Sequence, residues 1–129
     1  MVDLQEMERR IVEHVLADYQ KYGYGRLAIE WKATGQFVGF TGLKYLPNCQ
    51  EIDLGYRLAK NFWGKGIATE CGKASLDYGF HQLGLRRIIA IIMPQNTASF
   101  RVLEKLGFHY EKEFIEEEQL LQQFVIFRN

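Results

Sequence analysis

Apolar residues recur at helical spacing over residues 3–22, where Leu4, Met7, Ile11 and Val15 form one stripe with Glu, Arg and Asp between them. Gly23-Tyr24-Gly25 then supplies a glycine for a left-handed cap. The period changes to two over residues 26–33, with Leu27, Ile29 and Trp31 on one face of a strand. Ala33-Thr34-Gly35 reads as a hairpin turn, residues 36–45 as the return strand, and Pro47-Asn48 as its end. A third strand is predicted over 51–59, dividing Ile52, Leu54, Tyr56 and Leu58 from Glu51, Asp53, Gly55 and Arg57. Residues 67–83 return to the helical period, with Ile67, Cys71, Ala74 and Tyr78 on one stripe and Gly84 as the stop.

The run Ile88-Ile89-Ala90-Ile91-Ile92 within Arg87–Met93 is continuous, as expected of a strand buried on both faces. Asn96 fits the N-cap of a short helix through Leu106, and Gly107 its C′ position. Phe108–Glu116 and Leu120–Phe127 read as two closing strands. The alternation of strands and helices places the chain in the α/β (α+β) class, as a mixed sheet with helices packed on it. With no linker or repeat, residues 1–129 are expected to form a single domain.

Composition narrows the classes of function. Sixteen basic residues balance sixteen acidic ones, which argues against nucleic acid as the main partner. An apolar content of 47% suffices for a core without disulfides or metals. Cys49 and Cys71 are too few for a disulfide framework and read as reduced thiols. The acidic, amphipathic start lacks a signal-peptide core, and no run is long enough to span a membrane, so a cytoplasmic chain is expected. His14, His81 and His109 stand on separate elements without companions at ligand spacing, so no metal is expected. Trp31, Phe37, Phe40 and Tyr45 read as core and hairpin contacts.

The candidate chemistry lies where strand 51–59 runs through Trp63-Gly64-Lys65-Gly66-Ile67-Ala68 into a helix. Two glycines in such a turn let backbone amides converge, and the helix adds free N–H groups and its positive end. A phosphate or pyrophosphate fits there, with Lys65 as an added charge. An ordinary packing turn has the same spacing. The strings of a P-loop and of a dinucleotide fingerprint are both absent. The segment from Asn96 to Phe108 by itself is a capped amphipathic helix, with Ser99 a polar first-turn residue.

Taken in order, Asp53-Leu54-Gly55-Tyr56-Arg57-Leu58, Phe62 through Glu70, and Asn96 through Phe108 resemble the GCN5-related N-acetyltransferase superfamily. The branch most similar is that of ribosomal-protein N-terminal acetyltransferases, and the resemblance covers roughly residues 3–127. Trp63 stands where the superfamily's pyrophosphate loop has Gln or Arg, a departure usual in this branch. The resemblance implies a mostly antiparallel mixed sheet with flanking helices and acetyl-coenzyme A as cosubstrate. It implies that Tyr56, Arg57 and Leu58 line the pantetheine arm, while the amides of Trp63, Gly64, Lys65, Gly66, Ile67 and Ala68 hold the pyrophosphate. Asn96 would reach the pantetheine from the far side, and Ser99 would lie near the thioester sulfur.

The implied activity is transfer of an acetyl group to a primary amine, a protein N-terminus or a small amine, by direct attack. Asp53 is the candidate base, with Glu51 on the same face; a solvated strand carboxylate is its plain structural reading. Ser99 is the candidate acid, because the tyrosine many relatives use falls here on Leu103. The family's first strand and helix have no counterpart before residue 3, so the fold is expected to be N-terminally shortened, with an oligomer formed by strand exchange or edge pairing. A non-catalytic acyl-coenzyme A-binding or interaction module is the competing reading.

Overall fold

The computed structural model describes residues 26–31 and 35–129. The helix expected over 3–22, Gly23 to Gly25, His14 and most of the first hairpin turn lie outside the described residues. Among the described residues there are six strands: β1 (Arg26–Trp31), β2 (Gln36–Leu46), β3 (Glu51–Leu58), β4 (Arg87–Ile92), β5 (His109–Glu116) and β6 (Gln119–Phe127). Two α-helices lie between them, α1 (Ile67–Asp77) and α2 (Thr97–Leu106). One sheet forms in the order β1-β2-β3-β4-β6-β5. Only β3 and β4 run parallel; the other neighbours are antiparallel. This is the α/β class and the mixed, mostly antiparallel sheet anticipated above.

Alternation along the strands sets which side chains meet the helices. Leu43 pairs with Leu54 and Ala90 with Phe124, and all four are buried together with Ile88, Leu76 of α1 and Leu103 of α2. On the other face Ile89 pairs with Val125, and both are also buried. β4 is therefore covered on both sides, as its apolar run predicted. No helix among the described residues is long and apolar enough to cross a membrane.

α1 departs from expectation in two ways. It ends at Asp77, and a π-helical turn, Tyr78–Gln82, takes over, with Leu83 N–H donating to Tyr78 C=O at 3.1 Å. Gly79 explains where the turn widens: a Cβ there would stand 2.8 Å from Leu43 Cδ1 and 3.0 Å from Ile88 Cδ1, so its backbone sits directly on the core. The buried stripe is also Ala68, Gly72 and Leu76 rather than Ile67, Cys71, Ala74 and Tyr78. Small residues win because α1 and α2 approach closely; a Cβ on Gly72 would meet Leu106 Cδ1 at 2.7 Å.

A polar cluster ties four strands together on the face away from the helices. The Arg87 guanidinium of β4 donates to Glu51 of β3 at 2.6 and 2.9 Å and to both oxygens of Glu111 of β5 at 2.5 Å. Gln123 of β6 donates to Glu111 at 2.7 Å. Beside Arg87, the Glu111 carboxyl is held at a pKa of about 2. Next to this clasp, the β3–β4 ladder is confined to Asp53 and Ile89. Further along, from Tyr56 to Leu58, β3 has no ladder to β4, and a cleft opens at this position.

Gly39 holds the outer side of β3 in place. It pairs with Leu58, and a Cβ on it would fall 2.0 Å from the Arg57 carbonyl oxygen, a backbone atom that cannot swing aside. Gly39→Ala should lower the unfolding free energy by about 3 kcal/mol, as expected of overpacking against rigid backbone. Urea titration checks this; a midpoint equal to the wild type's would show that β2 and β3 can separate freely at this point.

Candidate active site

The loop after β3 is built by alternating anchors and openings. Phe62 is buried and closes a single 3-10 turn, Lys60–Phe62. Trp63 turns outward, 60% exposed, yet its indole N–H donates back to the Leu58 carbonyl at 3.0 Å. The chain then passes through Gly64 at φ 76 and Gly66 at φ 78, left-handed values that glycine adopts without strain. A Cβ on either would meet nothing within 4 Å. These glycines serve backbone direction and open space rather than packing.

Gly66 is the N-cap of α1 and offers no side-chain cap. The first-turn amides of Ile67, Ala68 and Thr69 thus keep their free donors, since an α-helix bonds only from the next turn onward; the first intrahelical bond is Glu70 N–H to Gly66 C=O at 3.0 Å. Open amides, a positive helix end and a glycine cradle together favour a phosphate-bearing group.

The cleft beside this loop has a volume of about 550 Å³, in the range of small-molecule sites. Tyr56, Arg57 and Leu58 of β3 border it, as do Trp63, Gly64, Gly66, Ile67 and Ala68 of the loop and Asn96 and Ser99 at the start of α2. The structure thus brings together ten of the eleven residues expected around the cofactor. Lys65 is not part of the lining.

At the α2 end, Asn96 caps the helix by accepting from Ser99 N–H at 3.1 Å. Capping engages its side-chain oxygen, and Asn96 is among the residues bordering the cleft. Gly107 closes the same helix at φ 98, as expected. The Tyr56 hydroxyl donates to Ser99 Oγ at 2.9 Å, joining β3 to α2 across the cleft. Burial pushes the Tyr56 phenol above its ordinary pKa, partly offset by the bond to Ser99. With its oxygen engaged by Tyr56, the Ser99 hydroxyl has its own proton to offer to a group in the cleft.

Asp53 does not line the cleft. It pairs with Lys44 and Ile89 on the face of β3 away from Tyr56 and the helices. It stands at the last rung before β3 and β4 part, on the face of the strand opposite Tyr56. Glu51 is held by Arg87. Thr69, Arg101, Val102 and Lys105 line the cleft without having been anticipated. The signal was present in α2, where Ala98, Arg101, Val102 and Lys105 recur at i, i+3, i+4 and i+7.

Elsewhere, Cys49 and Cys71 are free thiols. No group of three His, Cys, Asp or Glu could hold a metal ion among the described residues.

Comparison with known proteins converges on one family. The model of the acetyltransferase (GNAT) domain matches residues 2–109. An uncharacterized protein of Bacillus subtilis, YkkB, is 41% identical over 93 residues, 70% of this chain and 54% of its own. The spermidine N(1)-acetyltransferase of Escherichia coli is 35% identical over 60 residues, 46% of this chain and 32% of its own. The crystal structure of an acetyltransferase from Agrobacterium tumefaciens superposes with a TM-score of 0.81 at 26% identity, covering 98% of this chain and 74% of that one. The chain spans about half the length of the first curated relatives it matches. With the domain model covering most of its length and the glycine loop, parted strands and capped helix in their places, the chain belongs to the GNAT acetyltransferase family.

Proposed function

We propose that the chain transfers an acetyl group from acetyl-coenzyme A to a primary amine, on a protein N-terminus or a small molecule, by direct attack. The observation that carries this reading is the cleft itself: an uncapped helix start behind two left-handed glycines, beside a strand freed of its neighbour. The pyrophosphate would rest on the amides of Gly64 to Thr69. The pantetheine would run along Tyr56 to Leu58, where β3 lacks a ladder to β4, toward Asn96 and Ser99. Acetyl-coenzyme A supplies the activated acyl group; positioning and proton handling fall to the chain.

The acceptor must lose a proton before it attacks, since amine pKa values of about 8 to 10 leave it mostly ammonium at neutral pH. Asp53 is the group proposed to take that proton, directly or through a water, from the face of the sheet opposite Tyr56. The amine then approaches through the gap between β3 and β4, and its nitrogen bonds to the thioester carbon as the carbon–sulfur bond breaks. A backbone N–H of β3 would meet the developing oxyanion, and Ser99 would offer its hydroxyl to the departing thiolate.

The test is release of free thiol from acetyl-coenzyme A with a panel of polyamines and peptides bearing free N-termini. Turnover with at least one amine is expected. Binding of coenzyme A without turnover across the panel would sink the enzyme reading in favour of a non-catalytic acyl-coenzyme A-binding module. No thermal stabilisation by coenzyme A at all would sink both.

A further inference from the structure

The face of β3 away from the helices carries an uneven set of charges. Alternation sends Tyr56 toward α1 and α2 and turns Asp53 and Arg57 to the other side, with Gly55 between them adding no side chain. Antiparallel pairing sets Lys44 of β2 beside Asp53, and Phe40 beside Arg57. Over these rungs of β2 and β3, one carboxylate therefore stands with two cations. Arg57 is exposed, while Lys44 is half-buried.

The Arg57 side chain makes no ion pair or hydrogen bond among the described residues. Arg87, on the same face, shows how this chain holds a structural guanidinium: Glu51 and Glu111 engage it from two strands. Arg57 receives no such partner. What β2 meets at Arg57 is its backbone carbonyl, packed on Gly39, so the guanidinium is not what holds the strand. Arg57 also lies in the stretch of β3 that has no ladder to β4. It stands four residues past Asp53, about 13 Å along the strand at roughly 3.3 Å per residue. Side chains reaching in from both ends shorten that span, so one small molecule can meet both groups.

We propose that Arg57 selects the acceptor by charge: the amine to be acetylated belongs to a molecule that carries a carboxylate a few bonds away. This rests on the acetyl-transfer reading, in which the amine gives its proton to Asp53 on this same face. The amine end is then drawn to Asp53 and the carboxylate end to Arg57, whose planar fork can hold both oxygens. The same charge repels a second ammonium group, so polyamines are the poorer acceptors. Selectivity thus comes from an attraction and a repulsion at one residue.

Rates of thiol release from acetyl-coenzyme A with matched acceptors test this. Each set keeps one reacting amine and varies the neighbouring group among a carboxylate, its amide and a second ammonium, both in amino acids and in dipeptides blocked at the C-terminus. In the wild type kcat/KM should be about three- to tenfold higher for the carboxylate than for the amide, between the worth of an exposed ion pair and that of a bidentate one. The difference should lie mainly in the acceptor KM and shrink with added salt. Arg57→Gln should bring the ratio close to one, and Arg57→Glu should turn it round in favour of the second ammonium. A purely structural loss slows all three acceptors alike and leaves the ratio where it was. Equal rates for carboxylate and amide in the wild type, a preference for polyamines, or a ratio that survives both substitutions would overturn the role of Arg57 and leave acetyl transfer standing. No turnover of any acceptor would remove the transfer reading together with it.

Discussion

Gly66→Glu should abolish coenzyme A binding while leaving the chain folded. Two separate quantities decide this. The folding cost is small, because a Cβ at Gly66 meets nothing within 4 Å and only the left-handed backbone, φ 78, resists a side chain. That strain is on the order of 1–2 kcal/mol. A carboxylate at the start of α1 partly offsets it by lying at the positive end of the helix. The binding cost is large for the same geometric reason. The open space around Gly66 is the cleft, and a glutamate there puts a negative charge on the amides that would hold the pyrophosphate. Saturating coenzyme A, at about a hundred times its Kd, stabilises a protein by about 2.7 kcal/mol, roughly 10 °C in Tm for a domain of this size. The wild type should show that shift and Gly66→Glu none, with Gly66→Ala between them. A Gly66→Glu variant that still gains 10 °C or so would move the pyrophosphate site elsewhere.

The parts legible in the sequence are those set by neighbours along the chain. The strand from Glu51, the glycine turn and the helix start at Ile67, the Asn96 cap and the left-handed Gly107 each depend on a few consecutive residues, and each appears where the sequence placed it. The illegible parts depend on distant contacts. Hydropathy points to Ile67, Cys71, Ala74 and Tyr78 in α1, whereas closeness to Leu106 selects Ala68, Gly72 and Leu76. The π turn answers to Gly79 lying on Leu43 and Ile88, which sit on two other strands. Period-two alternation correctly separates Asp53 from Tyr56, but which face holds the cleft is decided by where α1 and α2 pack. The Glu51–Arg87–Glu111 clasp joins residues from three strands and has no local signature.

Ser99→Ala and Tyr56→Phe should both lower kcat, by unequal amounts and without adding. Ser99 is the group proposed to meet the thiolate, and a hydrogen bond to a charged partner contributes about 1.5–3 kcal/mol, so its loss should cost roughly ten- to a hundredfold in kcat. Tyr56 acts one step removed. Its hydroxyl, 2.9 Å from Ser99 Oγ, occupies the serine oxygen and fixes the direction of the serine proton. Tyr56→Phe should cost about three- to tenfold, the scale of one neutral hydrogen bond. Because Tyr56 works through Ser99, the double variant should be no slower than Ser99→Ala, the mark of two residues acting as one unit. KM for acetyl-coenzyme A should move little in any of the three. The proton balance also separates this pair from a full proton donor. A thiol ionises near 8.5, about the value of a free cysteine, while burial raises the Tyr56 phenol above its usual 10.0. Transfer of the phenol proton to the thiolate is therefore uphill, and the pair stabilises the thiolate by hydrogen bonding until solvent protonates it. In the pH profile, both variants should lower the plateau of kcat and leave its acidic limb in place. Asp53→Asn should instead depress the acidic limb, where the acceptor still needs a base. A full additive loss in the Ser99→Ala/Tyr56→Phe pair would show that Tyr56 reaches the reacting atoms independently of Ser99.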